Sequence, residues 1–403
     1  MESKREMNLK DITIQPFPTS SRHETYLMEA SGRFFEISKD TAVLLTYLKE
    51  NGLTDESISS YVASQGGKPS RDEVTAFIDG MAQKIRNQAL VGDKRKSFLY
   101  SKDFITAEAA GKVSAALAWL FRPWVAIPAV AAFALADMVY FAMPSGTGNH
   151  VTISIYLLAG MYALMILSSL VHEFGHAAAC RHFGAPHGNI GLGLYLNLPV
   201  FYTDVSHVWK LPRCERCVVN FGGIYFQMLL MLPLLGAAII TRNNLLHYLI
   251  VLMNLNFLIT MNPFFKFDGY WMVTDLLGVA NLRQKGMEWA AYSAKRLLGR
   301  AAGPRPYLHS LPLWARLSLI GYTVVVTAFF VFYFCYAIPM FFARFYKTFP
   351  DRFMQLLSEL SRRQMPEWSN TQQIVLQLIF LFFFTYMLYR MALALARRLR
   401  WIK

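Results

Sequence analysis

The amino acids of this chain predict an α-helical polytopic membrane protein, with about six transmembrane helices behind a small N-terminal α+β winged-helix-like domain. Three features carry that expectation. The 403 residues are 54% hydrophobic and 15% aromatic, more apolar than soluble domains usually run. The apolar residues gather after about residue 114, in blocks that reach the roughly 20 residues a helix needs to cross a bilayer. Lys and Arg sit between those blocks and bring the net charge to +14. That pattern orients membrane helices and is unlike a nucleic-acid footprint.

Taken in order, the chain opens with a charged stretch, Met1 to Lys10. It has no apolar core, so no cleavable signal peptide is expected. Residues 1–22 read as polar and extended. Glu24 to Glu29 and Arg33 to Ile37 are expected as two strands around the turn-like Ala30-Ser31-Gly32. A helix over Asp40–Asn51 gathers Ala42, Leu44, Leu45 and Leu48 on one face. A second helix starts after Leu53, where Thr54 or Asp55 can cap it. A third starts at Ser70-Arg71-Asp72-Glu73, the reciprocal capping pattern in which Ser accepts an N–H bond and Glu reaches back. Val74, Phe77, Ile78 and Met81 give it an apolar stripe. Residues 1–100 are therefore expected as a soluble module. Asp40, Glu50, Asp55 and Glu56 break up any basic face on it, so nucleic acid is not an expected partner. Lys94-Arg95-Lys96 and Lys102 mark the approach to the membrane.

A membrane domain is expected over 115–400, its core over 150–280, with blocks at 115–142, 151–182, 217–240, 245–277, 316–345 and 372–396. Met143 to His150 carries no Lys or Arg, and the turn Thr241–Asn244 only Arg242. The gaps holding Lys210, Arg213 and Arg216, then Arg283 to Arg305, and the tail from Arg397 to Lys403, are basic. Basic residues on alternate connections place both termini in the cytosol of a multi-pass protein of the cytoplasmic membrane. The connection 346–371 dissents, with Lys347 and three Arg against Asp351, Glu359 and Glu367. Cys180, Cys214 and Cys217 then face the cytosol, where thiols stay reduced. Cys214 and Cys217 form a lone CxxC without the two further ligands of a structural zinc site.

The second block ends His172-Glu173-Phe174-Gly175-His176. Residues four apart share a helix face, so both imidazoles can bind one metal ion. Glu173, one step round, can take a proton from an attacking water. Such groups at the end of an apolar helix are costly without a task or a partner. A catalytic zinc site has three protein ligands. The best third ligand is Asp268, in Met261-Asn262-Pro263-Phe264-Phe265-Lys266-Phe267-Asp268-Gly269-Tyr270-Trp271. A carboxylate among aromatic residues needs a cation. Pro263 interrupts the helix and Gly269 permits close backbone approach. His182, His187, Asp204 and His207 are weaker candidates in loops. Gly222-Gly223 reads as a close helix contact. A His2Asp set favours Zn2+ among divalent ions.

HEFGH followed by a distal Asn-Pro-x4-Asp-Gly resembles the site-2 protease class of intramembrane metalloproteases, over roughly 150–280. The resemblance implies that His172, His176 and Asp268 bind zinc and that Glu173 is the catalytic base. Within that class the pattern Phe201-Tyr202-Thr203-Asp204, Trp209 and Asp268-Gly269-Tyr270-Trp271 looks closer to a bacterial branch linked to peptide biosynthesis clusters. Better-known members carry an Asn eight residues before the ligand Asp. Thr260 stands there in this chain, and Asn262 sits six before. Asn254, Asn256 or Asn262 can replace it in holding substrate. The resemblance also implies that Gly188 to Leu196, with Gly191 and Gly193, forms a re-entrant strand that pairs with extended substrate. The N-terminal module resembles PqqD-like domains, which recognise leader peptides of ribosomally made precursors. The implied function is zinc-dependent peptide-bond hydrolysis in precursor maturation, with precursor or membrane peptides, the lipid bilayer and biosynthetic-cluster proteins as partners. Regulated intramembrane proteolysis of a tethered regulator, or a non-catalytic export or immunity role, are the rivals. The leader-binding module argues against the first and an intact Glu173 against the second.

Overall fold

A computed structural model describes residues 11–66, 68–90, 98–143, 155–195, 198–300 and 303–398. The basic run Lys94-Arg95-Lys96 and the loop Met143–His150 are largely outside these ranges. The N-terminal module begins with three antiparallel strands in the order β1-β2-β3: β1 (Thr13–Pro16), β2 (Thr25–Ala30) and β3 (Arg33–Ser38). Ser31 and Gly32 join β2 to β3, both at positive φ, 52° and 69°. A two-residue hairpin turn of the primed kind needs that pair of values. Ala30 faces Arg33 across it. Strand β1 is a correction to the sequence reading, which left residues 1–22 outside the sheet. It is four residues long and ends in a proline, too short to show an alternation.

Three helices follow as expected, each opened by a side-chain cap. These are α1 (Lys39–Asn51), α2 (Asp55–Ser64) and α3 (Arg71–Leu90). Ser38 Oγ accepts the Thr41 N–H and Thr54 Oγ1 accepts the Ser57 N–H. Glu73 N–H donates to Ser70 Oγ at 3.3 Å, and Ser70 N–H donates to Glu73 Oε2 at 2.9 Å. The module has its own core, with Met28, Leu45, Leu48 and Ile58 almost fully buried.

Next come β4 (Phe98–Ile105), α4 (Ala107–Leu117), α5 (Pro123–Ala142) and α6 (Ile155–His182). The hairpin β5 (Ile190–Tyr195) and β6 (Leu198–Thr203) joins β4 in a second sheet of order β4-β5-β6. Then follow α7 (Arg213–Thr241), α8 (Asn244–Thr260), α9 (Asp268–Leu277) and α10 (Leu282–Leu297). The chain continues through α11 (Leu313–Phe332), a π-helical turn at Tyr333–Ala337, α12 (Ile338–Ser361) and α13 (Trp368–Arg398).

Among the described residues four helices are long and apolar enough to cross a membrane: Pro123–Ala142, Leu158–His182, Arg213–Thr241 and the run Leu313–Ser361. The expected blocks at 245–277 and 372–396 are not among these four, and the bounds of others are redrawn. The block at 245–277 is broken. Its first part, α8, has 17 residues, about 25 Å at 1.5 Å per residue. Pro263 offers no N–H, and Asn262 Oδ1 takes the Phe264 N–H at 2.7 Å, so the helix stops and restarts at Asp268. The first block starts at Pro123, because Ala107–Leu117 is a separate helix. Much of the expected 346–371 connection is helical, as α12 runs on to Ser361.

The chain forms two compact units, Met1–Leu194 with Pro199–Gly321, and Tyr195–Leu198 with Tyr322–Lys403. The first unit contains both the N-terminal module and the HExxH helix. In the second, α12 and α13 meet through phenylalanines, Phe341 against Phe380 with centroids 3.9 Å apart. Within the first unit polar pairs cross the apolar layer: Asn254 Nδ2 donates to Asp137 Oδ1 at 3.0 Å, and Tyr140 Oη meets His247 Nδ1 at 2.7 Å. The role of Asn254 is thus a bond between helices.

Candidate metal centre

His172 and His176 are one helical turn apart on α6, and Asp268 is the first residue of α9. The fold brings the three together. The His176 and His172 Nε2 atoms are 3.0 Å apart. Asp268 Oδ2 lies 2.9 Å from His172 Nε2 and 3.3 Å from His176 Nε2. This is the group of metal-ligating side chains found among the described residues. The CxxC pair forms no such group: Cys214 is exposed and Cys217 half-buried, both free.

Close helix packing makes the approach possible. A Cβ on Gly222 would sit 2.8 Å from the Gly175 carbonyl oxygen, and one on Gly223 would overlap the His172 ring. Side chains there would force α6 and α7 apart and displace His172. Gly269 does the same for Asp268, since a Cβ would overlap the Met261 carbonyl at the break before α9.

The far side of each imidazole decides which nitrogen is bare. His176 Nδ1 is 2.8 Å from the Val219 carbonyl, which can only accept, so Nδ1 carries the hydrogen. His172 Nδ1 is 3.1 Å from Gln227 Oε1. Gln227 directs its Nε2 to the hydroxyl and carbonyl oxygens of Ser168, at 3.0 and 3.4 Å. That orients the amide oxygen toward His172, so its Nδ1 also carries the hydrogen. In its neutral form each ring would then turn the lone pair on Nε2 toward the same point. Asp268 Oδ2 is buried there and has no hydrogen-bond donor among the described residues. Three atoms able to offer lone pairs thus converge within 3.3 Å of one another. A divalent cation fits such a donor set, and carbonyl or amide partners on the outer nitrogens are how proteins orient histidine ligands.

Gln227 and Ser168, each 1% exposed, are site residues the sequence reading missed. The signal was present: a glutamine in an apolar helix must find a partner. Glu173 lies next to His172 and is 7% exposed. Its backbone carbonyl accepts a bond from Thr203 Oγ1 at 3.1 Å, tying β6 to the site helix.

The other expected residues are placed as follows. Asn262 spends its side-chain oxygen on the turn at Phe264. Gly191 and Gly193 lie on β5, the centre of its sheet, with β4 on one edge and β6 on the other. Substrate therefore cannot pair along β5 as expected. Among the described residues β4 and β6 are the edge strands. Gly191 is needed for space, as a Cβ would lie 2.7 Å from the Lys102 carbonyl and against the Tyr202 ring. His187 bonds Ser114 Oγ at 3.0 Å. Asp204 accepts from Ser206, and His182 packs near Phe121. His207 meets Phe34 edge-on.

Comparison with family models, with curated proteins and with solved structures finds no match.

Proposed function

We propose that this protein is an intramembrane zinc metalloendopeptidase of site-2 protease type that hydrolyses a peptide bond in a precursor peptide, removing its leader. The observation that carries the reading is the convergence of His172 Nε2, His176 Nε2 and Asp268 Oδ2 with both Nδ1 atoms already committed. His172, His176 and Asp268 would hold the zinc, which when bound would supply the Lewis acidity that makes water nucleophilic near neutral pH. Glu173 takes the proton as water adds to the scissile carbonyl. It then delivers that proton to the leaving amine nitrogen as the C–N bond breaks. Burial of Glu173 keeps competing water away from the transfer.

Peptide bonds inside helices are shielded, so substrate must be held extended. The β6 edge, joined to the Glu173 carbonyl through Thr203, suits strand addition beside the site. The N-terminal module, read as a winged-helix-like PqqD-type unit, holds the leader on the cytosolic side of a multi-pass protein whose two termini are cytosolic.

The test is metal analysis and a cleavage assay on the purified full-length protein, with short peptides encoded beside its gene as substrates. Glu173→Gln should keep zinc and lose cleavage, and cleavage at the native rate would sink the mechanism. Asp268→Ala should cut zinc occupancy, and unchanged occupancy would remove it from the ligand set.

A further inference from the structure

Helix α9 carries Asp268 at its first residue and Asp275 seven residues on, close to its end. Two turns separate them, so whatever fixes the last turn of α9 also fixes the direction of Asp268. Asp275 is 5% exposed and Arg216, on α7, is 2% exposed. Arg216 Nε donates to Asp275 Oδ1 at 2.6 Å, and Asn220 Nδ2 donates to Oδ2 at 2.8 Å. Arg213 adds bonds to the carbonyls of Asp275 at 3.0 Å and Leu276 at 2.5 Å. An ion pair this deep gains little stability over well-packed apolar residues. What it supplies is a fixed geometry.

The N-terminal module completes this arrangement. The Arg216 guanidinium lies 5.0 Å from the Phe17 ring centroid and 5.6 Å from that of Trp209. Phe17 is buried with Leu27 and with Ala280, just beyond α9. The Ser20 N–H donates at 2.9 Å to the carbonyl of Gly278, the residue that ends α9. Residues 17–20 therefore touch both the cation that holds α9 and the end of α9 itself.

We propose that Arg216 is a positioning residue for Asp268 and that the N-terminal module, through Phe17 and Ser20, completes its seat. Affinity for metal at His172, His176 and Asp268 then depends on whether the module is docked, which lets an event on the module reach the site. The proposal rests on the metal-centre reading above.

The experiment uses the full chain in detergent, freed of metal and titrated with Zn2+ against a competing chelator. Co2+ visible absorption reports the coordination geometry. Phe17→Leu and Arg216→Lys should each lower Zn2+ affinity about tenfold or more, the usual effect of disturbing groups behind metal ligands. Their Co2+ spectra should move toward that of Asp268→Asn. Phe17→Trp, which keeps a ring over the guanidinium, should retain native affinity. Arg216→Met strands a buried carboxylate and is prone to misfold, so the milder variants carry the test. If Phe17→Leu and Arg216→Lys lower only the melting temperature and leave affinity and spectrum native, the positioning role is overturned. If Asp268→Asn itself leaves Zn2+ affinity native, the metal-centre reading falls instead, and the two failures are distinguishable.

Discussion

Two histidines on one helix face do not make a metal site until their outer nitrogens are occupied. At the candidate centre Val219 and Gln227 face those nitrogens, one with a backbone carbonyl and one with a side chain. Gln227 is the more informative to change, because the backbone partner survives substitution. Gln227→Met keeps the volume and apolar packing but frees the His172 ring to turn or to switch tautomer. It should weaken Zn2+ binding by roughly 10- to 100-fold with the Co2+ geometry of the residual complex altered. A native affinity in the chelator competition would show that His172 is held by packing alone. Gly223→Ala should be harsher, since its methyl group would occupy the space of the His172 ring. The HExxH pair was legible in the sequence because the motif is local and its spacing matches one helical turn. Gln227 lies 55 residues away, and nothing in the spacing of α7 says which turn of α6 it faces.

The decisive element is the interruption between α8 and α9. Asn262, Pro263 and Gly269 end one helix and start the next, so that Asp268 begins a helix beside α6 instead of lying in the middle of one. Asp268 was legible as a candidate third ligand because a carboxylate among aromatic residues needs a cation, and the fold does bring it to the two histidines. The break was half legible: Pro263 marked it, yet the apolar run across it read as one span. Hydropathy averages over such a break, whereas hydrogen bonding does not. The central position of β5 was illegible, because sheet order depends on β4, about ninety residues earlier in the chain. Gly269→Ala tests the element directly. The added methyl group collides with the Met261 carbonyl, so α9 must shift as a unit. Zinc affinity should fall toward that of Asp268→Asn, while Gly321→Ala, in open space on α11, should leave it native. Equal affinities in the two glycine variants would mean that α9 tolerates the shift.

Across the whole chain the sequence suggested two domains meeting near residue 100, yet contacts between them are extensive. Lys210 pairs with Glu29 at 2.8 Å and Lys285 with Glu36 at 3.1 Å, while Arg22 N–H donates to the Ser310 carbonyl. Long-range charge pairs leave no periodic trace, so the docking could not be read from patterning. It makes a pH dependence that can be checked. The Lys210 ammonium, hydrogen-bonded to Glu29, holds that carboxyl below its ordinary value. A carboxyl whose folded value is depressed adds stability that is fully present above its unfolded value, about 4.3, and is lost as pH falls through the folded value. Docking should therefore hold from neutral pH down to about 4.3 and weaken below it. The pair is partly exposed, so the effect is at most about 1 kcal/mol, a few-fold in equilibrium. Hydrogen-exchange protection factors for the β2 amides, which correct for the intrinsic rate, measure it in the intact protein. They should drop on acidification in the native chain and drop less in Glu29→Gln, which starts from a lower value at neutral pH. An identical acid response in both proteins would assign the loosening to other groups, and the Lys210–Glu29 bond would then contribute nothing to holding the module over α9.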